Sequence, residues 1–210
     1  MSLQLSFRPG VADDIPACLA LDHTCESDSV WQMTLNAAEH GQTQVAFKRE
    51  RLPRSITLKH VIEPARLKDD LDAGLLWAVA IPEEGTPQSA TAEITDAMIE
   101  APSTPPRPVL GYVVARFEEA QSVVWIDDLI VAREARRKRA GARLLDGARV
   151  WAREQGAHSL MIALPTKHAP MIQLAQGFGL TFCGYNDLYF RNHDIAVIFG
   201  MRITRRDRVG

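Results

Sequence analysis

Asp127-Asp128-Leu129-Ile130-Val131-Ala132-Arg133-Glu134-Ala135-Arg136-Arg137-Lys138-Arg139-Ala140-Gly141-Ala142-Arg143-Leu144-Leu145 is the stretch whose reading decides the fold. It reads as the end of a buried strand, then a basic turn, then the first turn of a helix. The first amides of a helix lack acceptors within the helix, and the helix dipole adds positive potential at the same end. A cationic turn that feeds such an end is a cradle for phosphate.

Downstream, Leu144, Leu145, Ala148, Trp151 and Ala152 fall on one helical face, while Arg143, Asp146, Arg149 and Arg153 fall away from it. Gly156 ends this helix, and His158–Leu164 reads as an apolar strand. Strand, crossover helix and strand of these lengths make a parallel βαβ unit. Pro165–His168 is a loop, and Pro170 opens a helix stopped by Gly177-Phe178-Gly179. Two strands, 180–190 and 195–203, then follow, before a basic tail from Arg205.

Upstream, Val109–Phe117 and Val123–Val131 form an antiparallel hairpin across a short polar turn. Leu3, Leu5 and Phe7 alternate as a first strand, and a helix follows that Asp13 or Asp14 can cap. The segment 25–33 reads as a polar loop leading into a short helix that closes near 40–41. Residues 44–51 and 55–61 read as one interrupted strand or two short ones around Pro53, with Ile56, Leu58 and His60 in one phase. Pro64–Asp72 reads as a helix, and Leu75–Ile81 as a buried strand. The prediction is a mixed α/β fold in a single domain over 1–210, with a Pro-rich loop insertion at about 82–108.

Composition narrows the function. Apolar residues make up 46% of the 210, enough for a full core. The net charge is −2, which disfavours a nucleic-acid partner. The three cysteines form no CxxC pair and the six histidines no HExxH, so neither a disulfide framework nor a metal site is expected. Odd cysteine usage fits a reducing cytosol, no apolar run is long enough for a membrane span, and no signal peptide is visible, so a cytoplasmic protein is expected. The sequence has no GxSxG and no GxxxxGK[ST], and Gly177/Gly179 lack a third partner glycine.

The stretch Val131–Leu145 resembles the acetyl-coenzyme A motif of the GNAT superfamily of N-acetyltransferases, Arg/Gln-x-x-Gly-x-Gly/Ala between a strand and a helix. Arg136 matches the leading Arg, Gly141 the final Gly, and Arg139 stands where the pattern has its first glycine. The element order matches too, and 171–184 resembles the family's second signature, with Ala175 where many members carry a catalytic Tyr. Within the superfamily the chain is similar to streptothricin acetyltransferases at Val30–Met33, Ile126–Asp128 with Arg136–Lys138, and Ile195–Phe199. The resemblance implies a central mixed sheet, with antiparallel N-terminal strands and a parallel βαβ unit flanked by helices.

It also implies acetyl-CoA as cosubstrate, with no metal, and direct transfer of the acetyl group to a primary amine in a ternary complex. The acceptor is a small-molecule or protein amine, and pairing of the terminal strands would give a homodimer. Residues Leu129, Ile130 and Val131 would lie along the pantetheine arm. The loop Arg136, Arg137, Lys138, Arg139, Ala140, Gly141 and Ala142 would hold the pyrophosphate, with Arg143 adding charge and His168 on the cofactor side as well. An acid in this strand can take the amine's proton. The resemblance favours Asp127 as base and Asp128 as its support or a substrate ligand. Tyr189 and Tyr185 are candidates to protonate the leaving thiolate, Tyr189 being preferred, and Glu26, Asp28 and Trp31 are candidates for the amine pocket. The alternative is a non-catalytic relative that binds an acyl-CoA or a protein partner.

Overall fold

The computed structural model describes residues 5–37, 43–73, 76–82 and 109–204. The proposed insertion from residue 83 on and the tail from Arg205 lie outside these residues. The architecture is the mixed α/β one expected. A seven-stranded sheet runs in the order β1-β4-β5-β6-β7-β9-β8. Its strands are β1 (Leu5–Pro9), β4 (Leu76–Pro82), β5 (Gly111–Glu118), β6 (Val123–Val131), β7 (Ser159–Pro165), β8 (Thr181–Asn186) and β9 (Ala196–Arg202). Only β6 and β7 are parallel; the other neighbours are antiparallel.

The parallel pair needs a crossover, and α3 (Ala140–Glu154) supplies it. Its apolar stripe, Leu144, Leu145, Ala148 and Ala152, is buried as the periodicity predicts. This stripe packs with Val113, Val124, Leu160 and Phe199 of the sheet and Ile172 of α4 (Ala169–Phe178). Burying each such Leu, Ile or Val side chain contributes roughly 1.5–3 kcal/mol. A second core lies around Cys18, Leu67, Val79, Tyr112 and Val114. It is covered by α1 (Ile15–Leu19) and α2 (Pro64–Asp72). Asp14 fixes the entry to α1: its carboxylate pairs with Arg8 at 2.6 Å and accepts from the Val11 amide at 2.9 Å.

Two expectations need correction. The loop and short helix expected between 25 and about 40 are instead β2 (Thr24–Ala37), at least as far as residue 37, where the described residues break. Its partner β3 (Thr43–Lys59) is one strand running through Pro53, and the two form a separate antiparallel hairpin. The inward phase of β2 carries Ser27 and Ser29 where apolar residues would have announced a strand, and both serines are buried. Pro53 is tolerated because the register jumps from Ser27↔Ile56 to Ser29↔Arg51, leaving 52–55 bulged and unpaired. Finally, the strand expected over 180–190 stops at Asn186, so Tyr189 lies in the bend before β9.

Candidate active site

The centre of the site is a break in the ladder of β6. On one side β6 pairs with β5, but the register steps from Ala115↔Ile126 to Val114↔Asp128, so Asp127 is an extra residue in a bulge. On the other side β6 and β7 pair only from Val123↔Ser159 to Ile126↔Ile162. Beyond that point the parallel strands separate. The β6 backbone from Asp127 to Val131, which includes Leu129, Ile130 and Val131, is therefore unpaired toward β7. A strand edge with unmet donors and acceptors is a docking line for an extended chain rich in amides.

The strand runs straight into the basic loop. Arg137 and Arg139 both take left-handed backbone angles, with φ of 61° and 66°. The expected first glycine is thus replaced by an arginine that adopts the conformation for which glycine is usually chosen, at a cost of about 1–2 kcal/mol. The amides of Arg137, Arg139, Ala140, Gly141 and Ala142 find no acceptor among the described residues. They cluster at the N-terminus of α3, where the dipole favours an anion. The side chains of Arg137, Lys138 and Arg139 are exposed and form no ion pair among the described residues.

Two arginines of this stretch do something else. Arg136 was expected to screen phosphate, but its guanidinium donates to the carbonyls of Val131 (2.9 Å), Thr24 (2.8 Å) and Asp22 (3.1 Å). It ties the start of the β2–β3 hairpin to the end of β6. Arg143 donates to the Leu5 carbonyl at 3.0 Å and lies over the Phe7 ring. A Cβ at Gly141 would meet Leu174 Cδ2 at 2.8 Å, the tip of a flexible side chain that would have to turn aside. His168 caps α4, its Nδ1 accepting from the Met171 amide at 3.3 Å, and burial pushes its pKa down.

The bulge sends the two aspartates to different partners. Asp127 pairs with Arg116 of β5. Burial raises the Asp127 pKa despite that partner. Burial also works against the charge of Arg116, yet Asp127 and the Tyr189 hydroxyl hold its pKa above the ordinary value. Tyr189 thus stands on the same polar line as Asp127, with its ring against Phe190. The Asp128 side chain is fully buried; Oδ1 lies 2.6 Å from His60 Nε2 and Oδ2 3.0 Å from Arg66 Nη2. Oδ2 makes no directed hydrogen bond, so the Arg66 contact is an ion pair of charge rather than of geometry.

The residues expected to line an amine pocket do not converge. Glu26 and Asp28 are exposed on the outer phase of β2, and Asp28 lies 4.0 Å from Arg49. Trp31 packs among Phe47, Phe182 and Phe199, with ring centroids 5.5–6.1 Å away. Its amide donates to the Thr166 carbonyl at 3.0 Å, which docks the hairpin on the loop before α4. An open cavity of about 380 Å³ lies instead at the other end of the hairpin, lined by Leu21, Asp22, His23, Lys59, His60 and Ile62 among others. His60, Arg66 and Arg116 are the site residues that motif reading missed. The signal was present: His60 sits in the apolar phase of its strand, and Arg116 is the one cation in the apolar run 109–117.

Among the described residues no group of His, Cys, Asp and Glu could hold a metal ion, and no helix is long and apolar enough to cross a membrane. No curated protein sequence matches the chain. Solved structures share its fold. Nourseothricin acetyltransferase superposes with a TM-score of 0.72 at 20% identity, over 95% of this chain and 99% of that one. A protein of Bacillus anthracis str. Ames in complex with acetyl coenzyme A, provisionally named a streptothricin acetyltransferase, gives 0.68 at 13% identity, over 97% and 100%. The ribosomal-protein-S18-alanine N-acetyltransferase of Escherichia coli gives 0.59 at 10%, over 99% of each chain. Residues 90–180 match the acetyltransferase (GNAT) family model. The chain is thus similar to the acetyltransferase (GNAT) family over residues 90–180 and shares the fold of these acetyltransferases along its length.

Proposed function

We propose that the protein is an acetyl-CoA-dependent N-acetyltransferase that passes the acetyl group directly to a primary amine in a ternary complex. The observation that carries this reading is the separation of β6 from β7 immediately before a loop of five acceptor-free amides. The unpaired backbone at Leu129–Val131 takes the amide-rich pantetheine arm as an added strand. The amides of Arg137 and of Arg139, Ala140, Gly141 and Ala142 take the pyrophosphate, and Arg137, Lys138 and Arg139 supply positive charge above it. Arg136 serves by holding the loop and the hairpin together.

The thioester then lies near the bulge, beside Asp127 and the buried Asp128, whose charges are matched by Arg116 and Arg66. Holding amine and thioester together accounts for most of the rate, and Tyr189 returns a proton to the departing thiolate. The acceptor is a small-molecule amine in this reading, which draws on the two similar structures named for nourseothricin and streptothricin. Incubation with acetyl-CoA and nourseothricin, spermidine, kanamycin or tyramine, followed by thiol release and product mass, tests it. Acetylation of at least one is expected; acetyl-CoA binding without transfer to any amine would return the chain to a binding role.

A further inference from the structure

The inference rests on that reading and concerns the proton. We propose that His60 takes it from the acceptor amine, that Asp128 positions His60, and that the amine enters on a short aliphatic arm through the cavity beside His23 and His60. Asp128 cannot meet a substrate itself. Its side chain is fully buried, and its two oxygens face His60 and Arg66. His60 is its route to the surface: Nε2 is 2.6 Å from Oδ1, while the side chain is 42% exposed and lines the cavity.

A carboxylate only accepts, so the imidazole nitrogen facing it carries the hydrogen. That fixes the tautomer and leaves Nδ1 with a lone pair and no partner among the described residues. An oriented imidazole with one nitrogen on a buried acid and the other open is the arrangement of a general base. Asp127, by contrast, spends its carboxylate on Arg116.

The cavity fits an amine on an apolar stem. Leu21 and Ile62 provide aliphatic wall, and Asp22 stays ionised, its pKa lowered to about 2 by hydrogen bonds from the Thr24 hydroxyl and amide. In the step, the amine nitrogen bonds to the thioester carbonyl carbon and the C–S bond breaks, with its electron pair going to sulfur. The amine proton moves to His60 Nδ1 and the thiolate takes one from Tyr189; exchange of that single proton through solvent resets both side chains, giving the amide and free CoA-SH.

The ionisable groups around His60 are Asp128 of β6, Arg66 and Asp70 of α2, Lys59 of β3 and Tyr112 of β5. Asp22 and His23 come from the segment before β2, and His168 from the start of α4. None of them except His60 both contacts Asp128 and lines the cavity.

The test uses the full chain and the amine, among the four above, that it acetylates fastest. His60→Gln is expected to lower kcat about a hundredfold with acetyl-CoA affinity unchanged by calorimetry. His60→Ala is expected to recover about tenfold in added imidazole, a rescue that a purely structural role would not allow. The wild-type rise of kcat/KM with pH should flatten in both variants and persist in Asp127→Asn. Activity of His60→Gln within about threefold of wild type overturns the proposal, as does a loss with no imidazole rescue and an intact pH profile. Loss of the profile in Asp127→Asn alone puts the base at Asp127 and overturns it too. If the wild type binds acetyl-CoA yet acetylates none of the four amines, the functional reading falls and this inference with it.

Discussion

The loop before α3 and the β2–β3 hairpin both reach the open end of β6, but they are made of different material. The loop grips with backbone: acceptor-free amides, a strand edge without a partner and two left-handed residues. The hairpin acts through side chains and their pairings, with His60 on Asp128 and Trp31 among phenylalanines. A backbone grip depends on geometry, so the proposed site should tolerate Arg139 where the family pattern has glycine. A site made of side chains is private to each chain. The family match accordingly covers the loop, at residues 90–180, and not the hairpin.

Arg136 is where the two regions meet, so its loss should have the largest effect. Arg136→Ala removes three charge-assisted hydrogen bonds to carbonyls and should cost about 3 kcal/mol in urea denaturation. Arg136→Lys should recover little of it, because one ammonium cannot reproduce the fork. A cost below about 1 kcal/mol would mean that the hairpin docks without this tie.

Within the loop side, Gly141→Ala should cost less than about 1 kcal/mol, because the Leu174 tip can turn aside and Ala favours the helix. The double variant with Leu174→Ala should cost less than the sum of the two single changes, which a double-mutant cycle measures. Arg139→Gly should stabilise the fold by about 1 kcal/mol by relieving the left-handed residue. If it instead destabilises, the backbone account of the loop is wrong.

A comparably small effect is expected away from both regions. Burial acts to raise the Asp14 pKa, but Arg8 and the Val11 amide outweigh it and hold it below the usual carboxylate value. A depressed folded-state pKa contributes stability above the unfolded value, near pH 4, that is lost as pH falls through the folded one. Asp14→Asn should therefore cost about 1 kcal/mol at pH 7, with the gap to wild type closing below about pH 4 in parallel thermal melts.

What could be read in advance divides along the same line. The α3 stripe, the parallel β6–β7 pair and the β5–β6 hairpin follow from periodicity, because each buries a continuous apolar face. β2 escaped because its inward phase carries Ser27 and Ser29, whose burial depends on partners distant in sequence. The Ser27 hydroxyl accepts from the Ala169 amide, a contact no local pattern announces. Asp127 and Asp128 stood out as acids in an apolar strand, but their partners could not be assigned without the bulge, which sends them apart. The charge of Arg136 is visible in the sequence, but the three carbonyls it meets are not, and only they make it a tie rather than a phosphate ligand.

The central claim is that the open edge of β6 and the amides from Arg137 to Ala142 form an acetyl-CoA site. Calorimetric titration of the full chain with acetyl-CoA tests it most directly. The account predicts saturable one-to-one binding, weakened by added salt as expected for a pyrophosphate held by exposed cations. Absence of binding at millimolar acetyl-CoA would contradict it.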